Sequence, residues 1–154
     1  PLTTLSPLAI VSPSSPSIVL RSDMSLPRAI SVDTPPRAAL GRQLLVDLYG
    51  CDGQRLDDAT YVRQHLLVAA EQAGATVIDA HFHSFEPCGV TGTVSIQESH
   101  LSIHTWPEHR YAAVDIFTCG DAVDPWRAYE SLKIAFAADR GSAVEIHRGR
   151  PDLL

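Results

Sequence analysis

The sequence predicts an α+β fold, a two-layer sandwich in which two helices cover one face of a mostly antiparallel sheet. About six short runs alternate apolar and polar residues, a period typical of half-buried strands. Two longer segments instead carry apolar residues at helical spacing. The elements follow the order strand, helix, several strands, helix, strand, and this order fits helices packed on one face of such a sheet.

The spacing of apolar residues and the positions of turn residues indicate the first strand and the first helix. GRQLLVDLYG (41–50) alternates apolar and polar residues and predicts a strand. CDGQ (51–54) is typical of a turn. From Asp58, apolar residues recur every three or four positions until Gly74, so this segment predicts a helix that a glycine ends.

Four strands are predicted in the middle of the chain. ATVIDAHFHSF (75–85) is the first, and the Pro/Gly-rich loop EPCGVTG (86–92) follows it. TVSIQES (93–99) and HLSIHTW (100–106) predict two more strand segments, with no strong turn signal between them. YAAVDIFTCG (111–120) alternates in the same way and predicts the fourth.

A second helix and a last strand complete the fold. Asp124 is a favourable N-cap and Pro125 suits the first helical position. SAVEIHRG (142–149) predicts the closing strand. Helices on one face leave the other face of the sheet uncovered and partly apolar, and we therefore expect a homodimer.

Residues 1–36 differ from the rest of the chain in composition. They hold seven of the eleven prolines and eight serines. Such a segment buries little apolar surface, so we expect a disordered extension ahead of a single domain at residues 37–154. Met24 is the only methionine. One hypothesis is that translation starts there.

Composition and charge exclude several classes of protein. The 154 residues suit one domain, and the net charge of -6 argues against a nucleic-acid binder, which needs a basic surface. No run approaches the ~18 apolar residues that predict a membrane-spanning helix. Three cysteines without a C-x-x-C motif indicate reduced thiols rather than disulfides or zinc. We therefore expect a cytoplasmic protein.

Four of the histidines lie in predicted strands, where two pairs share a face of the sheet. His81 pairs in this way with His83, and His100 with His104, because even spacing returns a side chain to the same face. Such pairs can bind zinc, although the spacing positions no third ligand. Histidines hydrogen-bonded to their neighbours are the alternative, and the residues alone favour it.

Four other residues allow both a functional and a structural interpretation: Phe85, Ser99, Glu108 and Cys119. Ser99 lacks the G-x-S-x-G turn of a hydrolase nucleophile, so by itself it is typical of a strand serine. Cys119 ends an apolar strand, where a thiol is either buried or reactive. Glu108 follows a proline and is free to reach a ligand or a partner chain. Phe85 is either a core aromatic or a stacking surface for a planar ligand.

Four motifs together carry a resemblance to a known family: GRQLLVDLYGCD (41–52), FHSFEPCGVTG (82–92), ESHLSIHTWPE (98–108) and YAAVDIFTCG (111–120). In these motifs the chain resembles the short prokaryotic S-adenosylmethionine decarboxylase proenzymes. The pattern E-S-H-L-x-I-H-T-W-P-E followed by D-x-F-T-C-G is highly specific. The resemblance covers nearly all of the predicted fold and leaves out the N-terminal extension.

The resemblance implies that the chain cuts itself between Glu98 and Ser99. The Ser99 hydroxyl attacks the Glu98 carbonyl and forms an ester, and loss of the Ser99 α-proton then eliminates the upstream chain. Hydrolysis with release of ammonia leaves a pyruvoyl group on residue 99. The products are a β chain of residues 1–98 and an α chain of residues 99–154.

A pyruvoyl group implies decarboxylation without pyridoxal phosphate and without a metal. It forms a Schiff base with the substrate amine and accepts the electrons that loss of CO₂ leaves behind. No catalytic lysine is needed, which agrees with Lys133 being the only lysine. The product, decarboxylated S-adenosylmethionine, supplies aminopropyl groups for spermidine, and the resemblance implies an active site at a homodimer interface.

The family motif assigns roles to individual residues of this sequence. His104 matches the histidine that takes the α-proton during ester cleavage, and Cys119 matches the cysteine that reprotonates the substrate α-carbon. Phe85 matches an aromatic residue that stacks on adenine. Glu108 matches the acid that binds the ribose, across the dimer.

Two further positions of the motif are Thr91 and His100. Thr91 stands where the family usually has a serine whose hydroxyl assists processing. The hydroxyl is retained on a β-branched side chain with restricted rotamers, so slower processing is expected. His100 belongs to the motif, but no chemical step is assigned to it.

Two alternative functions follow from the same residues. Pyruvoyl chemistry needs only an α-amino acid, so arginine or ornithine is the first alternative substrate. Phe85 and Glu108 favour an adenosyl nucleoside instead. The second alternative is an unprocessed, non-enzymatic regulatory paralogue, and the presence of Ser99, His104 and Cys119 argues against it.

Overall fold

The computed structural model of the chain describes residues 18–22 and 39–149. These residues form seven strands, three α-helices and one 3₁₀ turn. The strands are β1 (Ile18–Ser22), β2 (Gly41–Tyr49), β3 (Val77–Ser84), β4 (Val90–Ile96), β5 (Ser99–Trp106), β6 (Tyr111–Cys119) and β7 (Arg140–Arg148). The helices are α1 (Gly53–Asp57), α2 (Ala59–Gln72) and α3 (Pro125–Ala135), and the 3₁₀ turn is Pro107–His109.

The seven strands form one antiparallel sheet in the order β1-β7-β2-β6-β5-β4-β3. The predicted α+β class is confirmed. Strands β4 and β5 are joined by a turn at Gln97 and Glu98, so Ser99 is the first residue of β5.

One face of the sheet packs against the helices and carries the core. Alternate residues of β2, β4, β5 and β6 are fully buried there, as in Leu44, Leu101 and Ile116, and they pack with Leu66 of α2 and Phe136 after α3. This alternation follows from the two-residue period of a strand. The predicted layer arrangement therefore places the core between the helices and a single sheet face.

The helix starts follow the capping residues in the sequence. The Asp58 carboxylate accepts hydrogen bonds from the backbone N–H groups of Thr60 and Tyr61 at the start of α2. The Asp124 carboxylate accepts one from Trp126 at the start of α3, with Pro125 as the first helical residue. Both helix starts agree with the sequence prediction.

The middle strands differ from the sequence prediction at their ends. Strand β4 begins at Val90, inside the loop predicted at 86–92, because residues 90–92 pair with β3 and residues 91 and 92 also pair with β5. Ser99, predicted in the segment 93–99, begins β5 instead, after the turn at Gln97 and Glu98.

Two further segments differ from the sequence prediction. The segment predicted as a turn at 51–54 leads into the short helix α1, because Asp52 caps it and Leu56 is buried. Within residues 1–36, predicted to be disordered, Ile18–Ser22 forms β1 and pairs with β7. An Ile-Val-Leu run favours a strand, and an edge strand offers unpaired backbone groups. The rest of that extension, including Met24, lies outside the described residues.

The second face of the sheet, which we term the open face, is not covered by any described helix. Aromatic residues cross it in a row: the ring centroids of Trp106 and Tyr111, and of Tyr111 and Tyr49, are each 5.3 Å apart. Trp106 is 40% exposed, and Leu45 is 38% exposed. Among the described residues, no helix is long and apolar enough to cross a membrane.

Candidate active site

The candidate residues fall into two clusters near opposite ends of β5. Ser99 begins β5 opposite Thr118, whereas His104 lies five residues further along, opposite Ala113. At about 3.3 Å per residue, this spacing separates Ser99 and His104 by about 16 Å. One chain therefore does not bring these two side chains together.

The first group, the serine cluster, consists of Glu98, Ser99, His100, Thr118 and Cys119. Its backbone is held on both sides of the turn between β4 and β5. The Cys119 N–H donates a hydrogen bond of 2.8 Å to the carbonyl oxygen of Glu98. The Thr76 N–H donates one of 3.1 Å to the Glu98 carboxylate. The Glu98 carbonyl is therefore fixed in place and polarised by a backbone donor.

Ser99 itself has an unusual backbone conformation. Its φ is 144°, a region that residues with a side chain rarely adopt and that costs about 1–3 kcal/mol. The surrounding hydrogen bonds hold this conformation in place. The backbone strain of the serine cluster therefore lies at Ser99, directly after the Glu98–Ser99 peptide bond.

His100 is the imidazole beside the Ser99 hydroxyl. Its Nδ1 lies 3.2 Å from Ser99 Oγ, and its ring centroid lies 5.9 Å from that of Phe117. Sequence reasoning assigned His100 no chemical step. In a regular strand, the side chains of neighbouring residues such as Ser99 and His100 point to opposite faces. The φ of Ser99 departs from that geometry and brings the two side chains together, and no sequence pattern indicates it.

Thr118 was missed by the sequence reasoning. It is fully buried opposite Ser99, and its Oγ1 has no hydrogen-bond partner within the described residues. Arg42 faces Thr118 from β2, and its Nε is also buried without a partner in the described part of the chain. Polar atoms that lack partners thus lie beside the strained Ser99 backbone on the helix-covered side.

Thr118→Val is expected to raise the free energy of unfolding by about 1 kcal/mol. The change removes a desolvated hydroxyl that makes no hydrogen bond and keeps the β-branched shape. Urea unfolding, measured in a Ser99→Ala background that keeps the chain uncut, gives this free energy.

The matched control is Thr105→Val, since Thr105 is also buried in the sheet. Its hydroxyl accepts a hydrogen bond from the Val90 N–H at 2.7 Å and donates one to the Leu56 carbonyl at 2.9 Å. Thr105→Val should therefore lower the free energy of unfolding, by about 1–3 kcal/mol. Equal losses in the two variants would contradict the unpaired state of Thr118.

The three cysteines occupy different environments. Cys51 is fully buried, and this burial raises the pKa of its thiol to about 11. Cys88 donates a hydrogen bond to the Glu108 carboxylate at 3.4 Å, and this bond is the main reason why the Cys88 pKa is raised. Cys119 is exposed at the end of β6, and its backbone binds the Glu98 carbonyl. Cys119 is thus the thiol placed to act near Ser99.

The second group, the histidine cluster, consists of Phe85, Cys88, Thr91, His104 and Glu108. Thr91 Oγ1 and His104 Nδ1 lie 3.0 Å apart on neighbouring strands, on the open face. Phe85 follows β3 and is 51% exposed. Glu108, in the 3₁₀ turn, is exposed and contacts Cys88. An exposed ring and an exposed carboxylate thus lie in the same part of the chain as the Thr91–His104 pair.

The loop after β3 is fixed by a glycine. The Phe85 N–H donates to the Gly89 carbonyl, and the Gly89 N–H donates to the Asp57 carboxylate, each at 2.8 Å. Gly89 has a φ of 102°, and a Cβ there would lie 2.9 Å from the Thr105 carbonyl oxygen. Only glycine meets both conditions. This loop sets the positions of Phe85 and Cys88.

Residues 18–22 and 39–149 contain no ligand set that would support the metal hypothesis. No three His, Cys, Asp or Glu side chains come together there in a way that could hold a metal ion. His81 Nε2 instead lies 2.8 Å from the Asp79 carboxylate. His83 packs edge-on against Phe85, with ring centroids 5.1 Å apart.

The chain is similar in sequence to known proteins. The sequence profile of the S-adenosylmethionine decarboxylase family matches residues 42–149. The S-adenosylmethionine decarboxylase proenzyme of Thermotoga petrophila is 52% identical over 114 residues, which cover 74% of this chain and 88% of that protein. The proenzyme of Acidithiobacillus ferrooxidans is 48% identical over 116 residues, 75% of this chain and 87% of that protein.

The chain is also similar to a solved structure. The crystal structure of the adenosylmethionine decarboxylase from Aquifex aeolicus superposes with a TM-score of 0.69 at 39% identity. The superposition covers 73% of this chain and 93% of that one.

Proposed function

Because the chain belongs to the S-adenosylmethionine decarboxylase family, we propose that it cuts itself between Glu98 and Ser99 and then decarboxylates S-adenosylmethionine. The observation that carries this proposal is the Glu98–Ser99 peptide. It is strained at Ser99, its carbonyl is bound by the Cys119 N–H, and the Ser99 hydroxyl lies beside an imidazole. These are the features that a peptide needs for attack by its own serine.

The surroundings of Ser99 fit its conversion to a pyruvoyl group. Attack of Ser99 Oγ on the Glu98 carbonyl carbon places negative charge on an oxygen that already accepts a hydrogen bond, which stabilises the transition state. Conversion to the ester releases the φ strain of Ser99. His104 then removes the Ser99 α-proton, and Thr91 assists processing through its hydroxyl. The cut gives a chain of residues 1–98 and a chain of residues 99–154. Both chains contribute to the single domain at 37–154.

A pyruvoyl group, once formed, supplies the electron sink for decarboxylation, without pyridoxal phosphate or a metal. The chain's own contribution to that reaction is proton delivery. The exposed Cys119 thiol lies at the end of β6, next to the new end of the chain. We assign it the proton transfer to the substrate α-carbon.

Substrate recognition is assigned to the loop after β3 and to the 3₁₀ turn. The exposed Phe85 ring suits stacking on adenine, and the Glu108 carboxylate suits the ribose hydroxyls. The relatives reported above are named for S-adenosylmethionine. These observations favour that substrate over arginine or ornithine and favour an enzyme over a regulatory paralogue. The product is an aminopropyl donor for spermidine, made in the cytoplasm.

The active site is completed by a second copy of the chain. Ser99 and His104 are about 16 Å apart along one strand, too far for proton transfer. The open face presents Trp106 and Leu45 to solvent, and such partly apolar faces are typical of interfaces. We infer a homodimer of processed protomers in which Thr91 and His104 of the partner subunit approach Ser99 across the open face.

Freshly purified protein tests this proposal. A denaturing gel and intact mass should reveal two chains split at Glu98–Ser99, the smaller with a pyruvoyl terminus in place of an amine. Release of labelled CO₂ is then measured with carboxyl-labelled S-adenosylmethionine, arginine and ornithine. A single full-length chain that persists on incubation would refute the self-cleavage, and faster release from arginine or ornithine would refute the substrate.

A further inference from the structure

The first step of self-cleavage needs a base, and the chain holds one beside Ser99. To attack, Ser99 Oγ must lose its proton, and the acceptor must lie within hydrogen-bond reach. His100 Nδ1 is 3.2 Å from Ser99 Oγ. His104 of the same chain is about 16 Å away along the strand and is already assigned the α-proton. The hydroxyl proton therefore needs a separate acceptor.

We propose that His100 is the catalytic base of ester formation, a role distinct from that of His104. This inference rests on the proposed self-cleavage and specifies its first step. His100 acts within its own chain, whereas His104 acts from the partner subunit on the α-proton. The two histidines thus divide the reaction into a step within the chain and a step across the interface.

The proposed step balances in atoms and charge. Nδ1 of neutral His100 takes the proton from Ser99 Oγ while Oγ bonds to the carbonyl carbon of Glu98. The carbonyl oxygen takes up the negative charge, held by the Cys119 N–H. As the C–N bond breaks, the imidazolium returns its proton to the departing nitrogen of Ser99. The products are an ester and a free amine, and His100 is neutral again.

The neighbours of His100 support this geometry. The Phe117 ring lies beside the imidazole, with ring centroids 5.9 Å apart. The carbonyl that Ser99 attacks is fixed through Cys119 and, on the side chain of the same residue, through Thr76. One chain therefore positions the nucleophile, the base and the oxyanion donor, without any residue of a partner subunit.

The test follows cleavage at Glu98–Ser99 over time in His100→Gln and His100→Ala. Loss of a general base is expected to slow cleavage about 10²–10⁴-fold. Added imidazole should restore cleavage to the His100→Ala chain, since a free base can enter the space that the side chain leaves. Far-UV circular dichroism verifies that each variant is folded. The control His65→Ala, on α2, should cut at the wild-type rate.

Hydroxylamine separates the two histidines because it cleaves esters and not peptides. It should release both fragments from His104→Ala, in which the ester accumulates, and not from His100→Gln. Release from His100→Gln, cleavage of that variant at the wild-type rate, or no response of His100→Ala to imidazole would overturn the role of His100. If the wild-type chain itself stayed uncut, the proposed function would fail instead.

Discussion

Ser99→Ala is expected to leave the chain uncut and to lower decarboxylation by at least ~10⁴-fold, because both depend on one hydroxyl. Without Oγ the Glu98 carbonyl has no nucleophile, although the Cys119 N–H still binds it. Without cleavage no pyruvoyl group forms, and no natural side chain replaces it as an electron sink. Strain at residue 99 alone does not break a peptide bond.

A gel time course and release of labelled CO₂ measure the two losses together. The matched control is Ser102→Ala, also on β5, where the serine hydroxyl donates only a long hydrogen bond of 3.4 Å to Asp115. Ser102→Ala should be cut and remain active. Cleavage of the Ser99→Ala chain into two fragments between residues 98 and 99 would disprove the serine mechanism.

Most of the fold could be predicted because its signals are local. Alternation marks β2 to β7, and the two long helices are capped by Asp58 and Asp124, whose carboxylates accept hydrogen bonds from backbone N–H groups of the first turn. The short α1 was missed because Asp52 caps only one turn, and its stability depends on burying Leu56. The pairing of β1 depends on the free edge of β7, which is a tertiary property.

The site residues could be named from the motif, but their grouping could not. Ser99 and His104 stand five positions apart in one motif, which suggests that they meet in one site. The register of β5 against β6 separates them instead. The contact of His100 with Ser99 and the buried Thr118 hydroxyl depend on one unusual φ and on tertiary packing. Neither feature produces a repeating pattern of residues, so the sequence does not predict it.

The strand register has a direct consequence for how the reaction is shared between two chains. A strand in this sheet cannot fold back to bring its sixth residue, His104, to its first, Ser99, without losing its hydrogen bonds to both neighbours. The proposed self-cleavage therefore requires a histidine on β5 to serve a serine on another copy of β5. In the proposed homodimer, each of two sites takes its serine from one chain and its histidine from the other.

Mixed dimers of Ser99→Ala and His104→Ala chains are therefore expected to cut the His104→Ala chain and leave the Ser99→Ala chain intact. In one of the two sites, Ser99 of the His104→Ala chain meets His104 of the partner subunit. The other site lacks both residues. Each variant alone should stay uncut, so coexpression changes the result from no cleavage to cleavage of one defined chain.

Different affinity tags on the two chains allow the mixed dimer to be isolated and its fragments assigned on a denaturing gel. The control pairs the His104→Ala chain with a Ser99→Ala/His104→Ala double variant, which forms the same interface but restores no histidine. This pair should stay uncut. If the His104→Ala chain were cut equally with both partners, His104 would not act across the interface. If it were cut with neither, the two-chain site itself would be wrong, because His104 of the partner subunit would have failed to restore cleavage.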